Sequence, residues 1–369
     1  MCKPQIQGLS GDRSTGKRPR LVPKKHLYLF LDDWKEGYSM HKIDADTLQD
    51  EDATQEQVGF PEPAATHRLG ARELYPTALG SEIFIVTAPR CGQTPILVYN
   101  TETGGLTMGP RLPAPLLGCF DISVAAADGL YGLSAFPMCG EQQHAFEVLS
   151  RAPNCNCNEE QRSTKPRMDW SWKSVPSPPP LHEDENITSY ALHPDGHTIF
   201  MSTHDRHNLS LARGTYSFDA RHCKWRWHGK WVLPFEGQGY FDSDLDAWVG
   251  LHFDGYICTC QVASRSGTST VQPDWKISKD KLFCRESERH LGATLTYMGD
   301  TQFCLIECGV RQDMECEDAF GDHDGCVLRL IMFSPKYNRK GELHTKIHRT
   351  TDTLVSKHLL SFDPVAFWM

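Results

Sequence analysis

The stretch Ile187 to Phe235, ITSYALHPDGHTIFMSTHDRHNLSLARGTYSFDARHCKWRWHGKWVLPF, constrains the fold most. It reads as four short strands. ITSYAL is followed by the turn His193 to Gly196, then HTIFMST, then GTYSFDA after a loop, and a Trp-rich strand from Trp225 to Leu233. Tyr216 and Phe218, and then Trp225 and Trp227, alternate with polar residues. Successive side chains of a strand point to opposite faces, so this two-residue period marks a half-buried strand. Four antiparallel strands joined by turns form a sheet too small to cover its own apolar face. Such a unit needs copies of itself as neighbours.

The copies are there. First strands begin near Leu27, Thr77, Asp121, Ile187, Gly239 and Leu291, spaced by 50, 44, 66, 52 and 52 residues. That is close to the ~50-residue period of kelch-type propeller blades. The long third unit carries an insertion at Arg151 to Lys165. A turn stands before each second strand: Gly80-Ser81, Asp128-Gly129, Asp195-Gly196, Asp254-Gly255 and Gly299-Asp300. Asp-Gly and its relatives tolerate the positive φ of tight hairpins. In the fifth unit, Asp244-Leu-Asp246 is an alternative turn. Prolines such as Pro176 and Pro234 follow Trp-rich strands, where they stop an outer edge from pairing onward. The expected fold is all-β: a six-bladed propeller over residues 26–369, closed by VAFWM pairing beside the N-terminal strand. Rings of five or seven blades are the alternatives.

Residues 1–25 are polar and basic and are read as a disordered tail. Within them Lys17-Arg-Pro-Arg20 and Lys24-Lys25 read either as a nuclear-import signal or as a solvated basic tail. A net charge of −9 argues against broad phosphate-backbone binding, which needs a basic face. No apolar run approaches the ~18 residues of a membrane span, and no apolar stretch near the N-terminus reads as a secretory signal. The sequons at Asn186 and Asn208 are therefore expected to stay unmodified. The fourteen cysteines are expected to be reduced thiols.

The strings YSMHKIDADTL, FPEPAA, TPILVYNTETGGLTMGPR, FEVLS, WSWKSVPSPPP, SYALHPDGHTIFMS, GTYSFDARHCKWRWHGKWVLPF, DLDAWVGL, RHLGATLTYMGDTQFCLIE and VAFWM carry a resemblance. From about His26 to Met369 the chain resembles a grass (Poaceae) kelch-like family catalogued as domain of unknown function 1668. The resemblance implies a kelch-like propeller from a grass. It brings no activity and no catalytic residues. The kelch Gly-Gly doublet does not precede the second strands; Gly104-Gly105 follows a third strand instead.

Four constellations invite a chemical reading. Cys304, Cys308, Cys316, His323 and Cys326 form the densest soft-ligand group, but their spacing lacks the close pairs of zinc sites. Strand thiols and a polar loop explain them. Cys155-x-Cys157 and Cys258-x-Cys260 are not redox Cys-x-x-Cys motifs, and the second pair shares one strand face. His193, His197, His204 and His207 surround one blade and read as turn and surface residues. Asp242, Asp244 and Asp246 read as a solvated turn rather than as paired carboxylates. Trp170, Trp172, Trp225, Trp227, Trp231, Trp248 and Trp275 are expected to pack between blades. No P-loop, dinucleotide fingerprint or Gly-x-Ser-x-Gly is present. The expectation is a non-enzymatic protein-interaction module, monomeric, in the cytoplasm or nucleus, with protein partners and no cofactor, metal or catalytic residue. The alternative is an enzyme or carbohydrate binder using a central pocket.

Overall fold

The computed structural model describes residues 24–35, 37–44, 62–68, 74–87, 95–116, 122–127, 129–134, 145–153, 168–176, 179–182, 184–265, 271–284, 288–360 and 362–369. The expected tail over residues 1–23, Cys155 and Cys157, and Asp128 lie outside the described residues.

Twenty-four strands follow one another, with two short 3-10 turns among the described residues. The first unit holds β1 (His26–Trp34), β2 (Gly37–Asp44) and β3 (Ala65–Arg68). The second holds β4 (Leu74–Leu79), β5 (Glu82–Thr87), β6 (Pro95–Asn100) and β7 (Leu106–Arg111). The third holds β8 (Ile122–Ala126), β9 (Gly129–Ser134), β10 (Ala145–Pro153) and β11 (Met168–Ser174). The fourth holds β12 (Glu185–Leu192), β13 (Thr198–Asp205), β14 (Ala212–Asp219) and β15 (Lys224–Gly229). The fifth holds β16 (Glu236–Asp242), β17 (Ala247–Leu251), β18 (Tyr256–Gln261) and β19 (Trp275–Lys281). The sixth holds β20 (His290–Gly299), β21 (Gln302–Val310), β22 (Gly321–Tyr337) and β23 (Leu343–Lys357). The last strand, β24 (Val365–Trp368), returns to the first unit and pairs antiparallel with β1, Leu27 opposite Trp368.

Within each unit the strands are antiparallel neighbours in chain order, which the short turns permit. The fourth and fifth units merge into one eight-stranded sheet, because β12 and β16 pair in parallel over Ser189–Ala191 and Gly237–Gly239. Gly237, at φ +63°, and Gly239 lie on this seam. A Cβ on Gly239 would come within 2.3 Å of the Phe235 ring.

The core lies between the units. Phe84 and Ile96 of the second unit pack with Leu130 and Leu149 of the third. Tyr131 and Phe146 of the third pack with Phe218 and Trp225 of the fourth, Phe146 and Phe218 edge to face at 4.8 Å. Phe200 of the fourth meets Trp248 of the fifth, and Val249 of the fifth joins Phe303 of the sixth. Leu305's neighbour Cys304 and Ile306 pack against Leu27 and Leu29 of the first unit, and Tyr28 and Phe30 of the first against Ile83 and Ile85 of the second. Each sheet thus hides its faces against the sheets before and after it. Radially repeated antiparallel sheets of this kind make a β-propeller.

Two expectations need correction here. The fourth strand of the fourth unit stops at Gly229, not at Leu233; Trp231 and Leu233 lie in the following coil and are buried against Phe200 and Trp248. In the fifth unit the turn before the second strand is Asp242–Asp246, and Asp254-Gly255 serves β17 to β18 instead. That choice is energetic: the Asp242 carboxylate accepts the backbone N–H groups of Asp244 and Leu245 at 3.1 and 3.0 Å, an Asx-type turn.

The boundary between the fourth and fifth units carries a pH-sensitive group. The His228 ring is packed 4.8 Å from the Phe200 ring, and its Nε2 meets Ser217 Oγ at 2.8 Å. Burial, with the nearby charge of Arg226, holds its pKa down at about 4. The unfolded chain takes up a proton near pH 6.5 and the folded one does not until about 4. Stability from this group is therefore complete above pH 6.5 and is lost as pH falls toward 4, by up to about 3 kcal/mol. Urea denaturation at pH 7 and pH 5 should show the protein less stable at pH 5. In His228→Gln that loss should shrink by about 2 kcal/mol.

Candidate functional site

The innermost strand of each unit is its first, except in the first unit, where β24 lies inside β1 and antiparallel to it; one face of the propeller thus collects the starts of the inner strands and the opposite face their ends. Turns on the strand-end face are short, as at Gly80-Ser81, Asp195-Gly196 and Asp300-Thr301. Connections between second and third strands, and between units, gather on the strand-start face.

A cavity of about 830 Å³ lies among the units. Strands β4, β8, β12, β16, β20 and β24 all contribute to its wall. Thr77 and Ser123 share a short hydroxyl–hydroxyl hydrogen bond across the second and third units. Tyr240 donates its hydroxyl to Leu295 O at 2.9 Å, joining the fifth unit to the sixth. Burial pushes the Tyr190 phenol up to about 12 and raises that of Tyr240 as well, each ring near the other. Both tyrosines therefore stay neutral hydroxyls at any physiological pH. Glu236 opens β16 and Asp363 precedes β24, so these carboxylates sit at the strand-start rim. His252 lines the same rim; burial lowers its pKa, against the pull of Asp254 and Glu236. No Lys or Arg occurs among the described residues of the wall.

Around this rim the loops expose apolar side chains. Leu209 (61%) and Leu211 (49%) lie between β13 and β14, Phe253 (54%) between β17 and β18, and Leu360 (66%) between β23 and β24. The other large exposed apolar residues are on outer strands, such as Met108 on β7 and Ile347 on β23, apart from Val271 in the loop before β19 and Tyr337 at the end of β22.

The sequence-selected residues fall elsewhere. Cys304, Cys308 and Cys326 are buried on β21 and β22, while the His323 ring, near the start of β22, contacts Asp318 O at 2.6 Å. Among the described residues no three His, Cys, Asp or Glu side chains gather to hold a metal. Cys258 and Cys260 are buried thiols on one face of β18, their pKa values raised by burial. The four histidines divide between the two faces. His193 and His197 flank Asp195, which Arg265 Nη1 meets at 2.9 Å, in the β12–β13 turn. His204 pairs with Thr188 Oγ1 at 2.7 Å, and His207 is exposed near Asp184.

Asp242 is not solvated, as the turn reading expected, but 0% exposed, where it caps its turn and accepts the hydroxyl of Thr301 at 3.2 Å. Trp170 and Trp225 wedge between units as expected, and Trp248 is fully buried. Trp227 and Trp275 are 45% and 41% exposed, because the outermost strands β15 and β19 carry one side-chain set past the neighbouring unit. The cavity residues were missed by sequence reasoning. Their signal is positional: most lie in the first strand of a unit or in β24.

A family model described as "Protein of unknown function (DUF1668)" matches residues 24–353, from the start of β1 into β23. The chain belongs to this family. No curated protein matches the DUF1668 chain. Among solved structures, the periplasmic gluconolactonase PpgL of Pseudomonas aeruginosa is similar at 10% identity, over 92% of this chain and 99% of that chain, with a TM-score of 0.42. A putative 6-phosphogluconolactonase from Bacteroides uniformis is also 10% identical, over 92% and 99%, with a TM-score of 0.44. The β-propeller domain of Cps50 (Swd1) from Myceliophteria thermophila is 12% identical, over 87% and 82%, with a TM-score of 0.40. These likenesses say nothing of what the DUF1668 chain binds or does.

Proposed function

We propose that this chain is a six-bladed, kelch-like ring, closed where β24 completes the first blade, and that it acts as a non-enzymatic protein-interaction module. The supporting observation is the placement of Leu209, Leu211, Phe253 and Leu360 on loops of the strand-start face. Water-exposed apolar side chains on loops over a rigid frame are a typical docking surface. The net charge of −9 favours a basic or mixed partner over nucleic acid. The module works as a monomer in the cytoplasm, the nucleus or both. Affinity capture from the source tissue, with the intact protein and with Leu211→Ser/Phe253→Ser, tests the docking face. Proteins held by the intact chain should bind the double variant at least tenfold more weakly, at unchanged Tm. Equal capture by both chains would remove this face from the proposal.

A further inference from the structure

We propose that the cavity among the units is a binding site for a neutral polyhydroxylated ligand the size of a mono- or disaccharide. This rests on the cavity wall and is independent of the docking face. Its volume, about 830 Å³, lies within the ~300–1,000 Å³ range of small-molecule pockets. Its depth is lined by uncharged hydroxyls: Thr77, Ser123, Tyr190, Tyr240 and Thr294. A hydroxyl both donates and accepts, and one whose proton is already used within the wall, as Tyr240 on Leu295 O, still accepts from a sugar hydroxyl. Trp368 also lines the cavity. The aromatic rings of Tyr190 and Trp368 offer faces against which the C–H side of a sugar packs.

Charge decides between ligand classes. With no Lys or Arg among the described wall residues, nothing there neutralises a phosphate or carboxylate. Glu236 and Asp363 would repel an anion at the entrance. A small ammonium compound suits the rim carboxylates but would leave the hydroxyls deeper in the cavity unmatched. Binding is assigned here, and no chemical step.

The experiment is calorimetric titration and thermal denaturation of the full chain with glucose, galactose, maltose and cellobiose. Glucose 6-phosphate, gluconate and choline run in parallel. At least one neutral sugar should bind and raise Tm by about 3 °C or more at a hundredfold excess over its Kd. The phosphorylated and carboxylated sugars should bind at least tenfold more weakly. Tyr190→Phe and Trp368→Phe, each confirmed folded by circular dichroism, should weaken the neutral sugar five- to tenfold. Thr294→Val serves as a third variant if either aromatic change lowers Tm by itself. The assignment is overturned if no neutral sugar binds, if choline or an anionic sugar binds more tightly, or if all folded variants bind like the parent.

Discussion

Asp32→Ala is expected to destabilise the protein by about 3–5 kcal/mol, measured by urea denaturation. Asp32 lies on β1 and Lys357 ends β23, and their side chains are only 4% and 2% exposed. Asp32 Oδ1 accepts Lys357 Nζ at 3.0 Å, while Oδ2 accepts the backbone N–H groups of His358 and Leu359 at 3.1 and 2.6 Å. Lys357 also donates to Phe362 O at 2.5 Å. One carboxylate thus grips the segment that leads from β23 into β24. Removing it strands a buried ammonium and two backbone donors, which is why the loss is large.

The pair is expected to add little over neutral packing. Burial pushes the Asp32 carboxyl above its ordinary value, and Lys357 and the Leu359 N–H pull it only part of the way back. The double variant Asp32→Asn/Lys357→Met keeps an acceptor for the backbone donors and leaves no buried charge. It should lose about 2 kcal/mol or less, so the double-mutant cycle should show coupling of about 2 kcal/mol or more. Additive losses would mean that the two side chains act independently.

Trp248→Ala should cost a similar amount, about 3–5 kcal/mol, through a different physical route. Trp248 is 0% exposed and fills the boundary between the fourth and fifth units, its ring 5.2 Å from that of Phe200. Its Nε1 donates to Leu192 O at 2.8 Å across that boundary. Alanine leaves a cavity and an unpaired carbonyl beside the parallel β12–β16 seam. Trp248→Phe retains much of the ring and loses the hydrogen bond, at about 1–2 kcal/mol. Hydrogen exchange should report the difference locally, with amides of β12 and β16 exchanging faster in Trp248→Ala. Unchanged protection there would place the stabilising role of Trp248 elsewhere.

Much of this architecture is local and was open to reading. Alternation in ITSYAL and HTIFMST is set by the pleat, which any strand obeys. Turn sites were legible for the same reason: Gly80, Gly196 and Gly299 sit at φ +62°, +75° and +89°, where glycine is favoured. The pairing of VAFWM with the N-terminal strand could be anticipated because the first unit supplies three strands where the others supply four.

What no local pattern carries is which surface meets another. Trp225 and Trp227 look alike in sequence, yet one wedges against the third unit and the other reaches solvent. Asp242 and Asp244 share a motif and both accept the hydroxyl of Thr301 in the sixth unit at 3.2 Å, yet one is enclosed and the other exposed. The cavity is the clearest case. Tyr190, Tyr240, Thr294 and Trp368 belong to four separate units and become one wall only when the sheets are packed together. The chain therefore determined its strands and turns residue by residue, through backbone geometry and hydrophobic alternation. The packing of sheet against sheet decided which side chains are core, which are rim and which face the cavity, because burial belongs to a surface pair and not to a single strand.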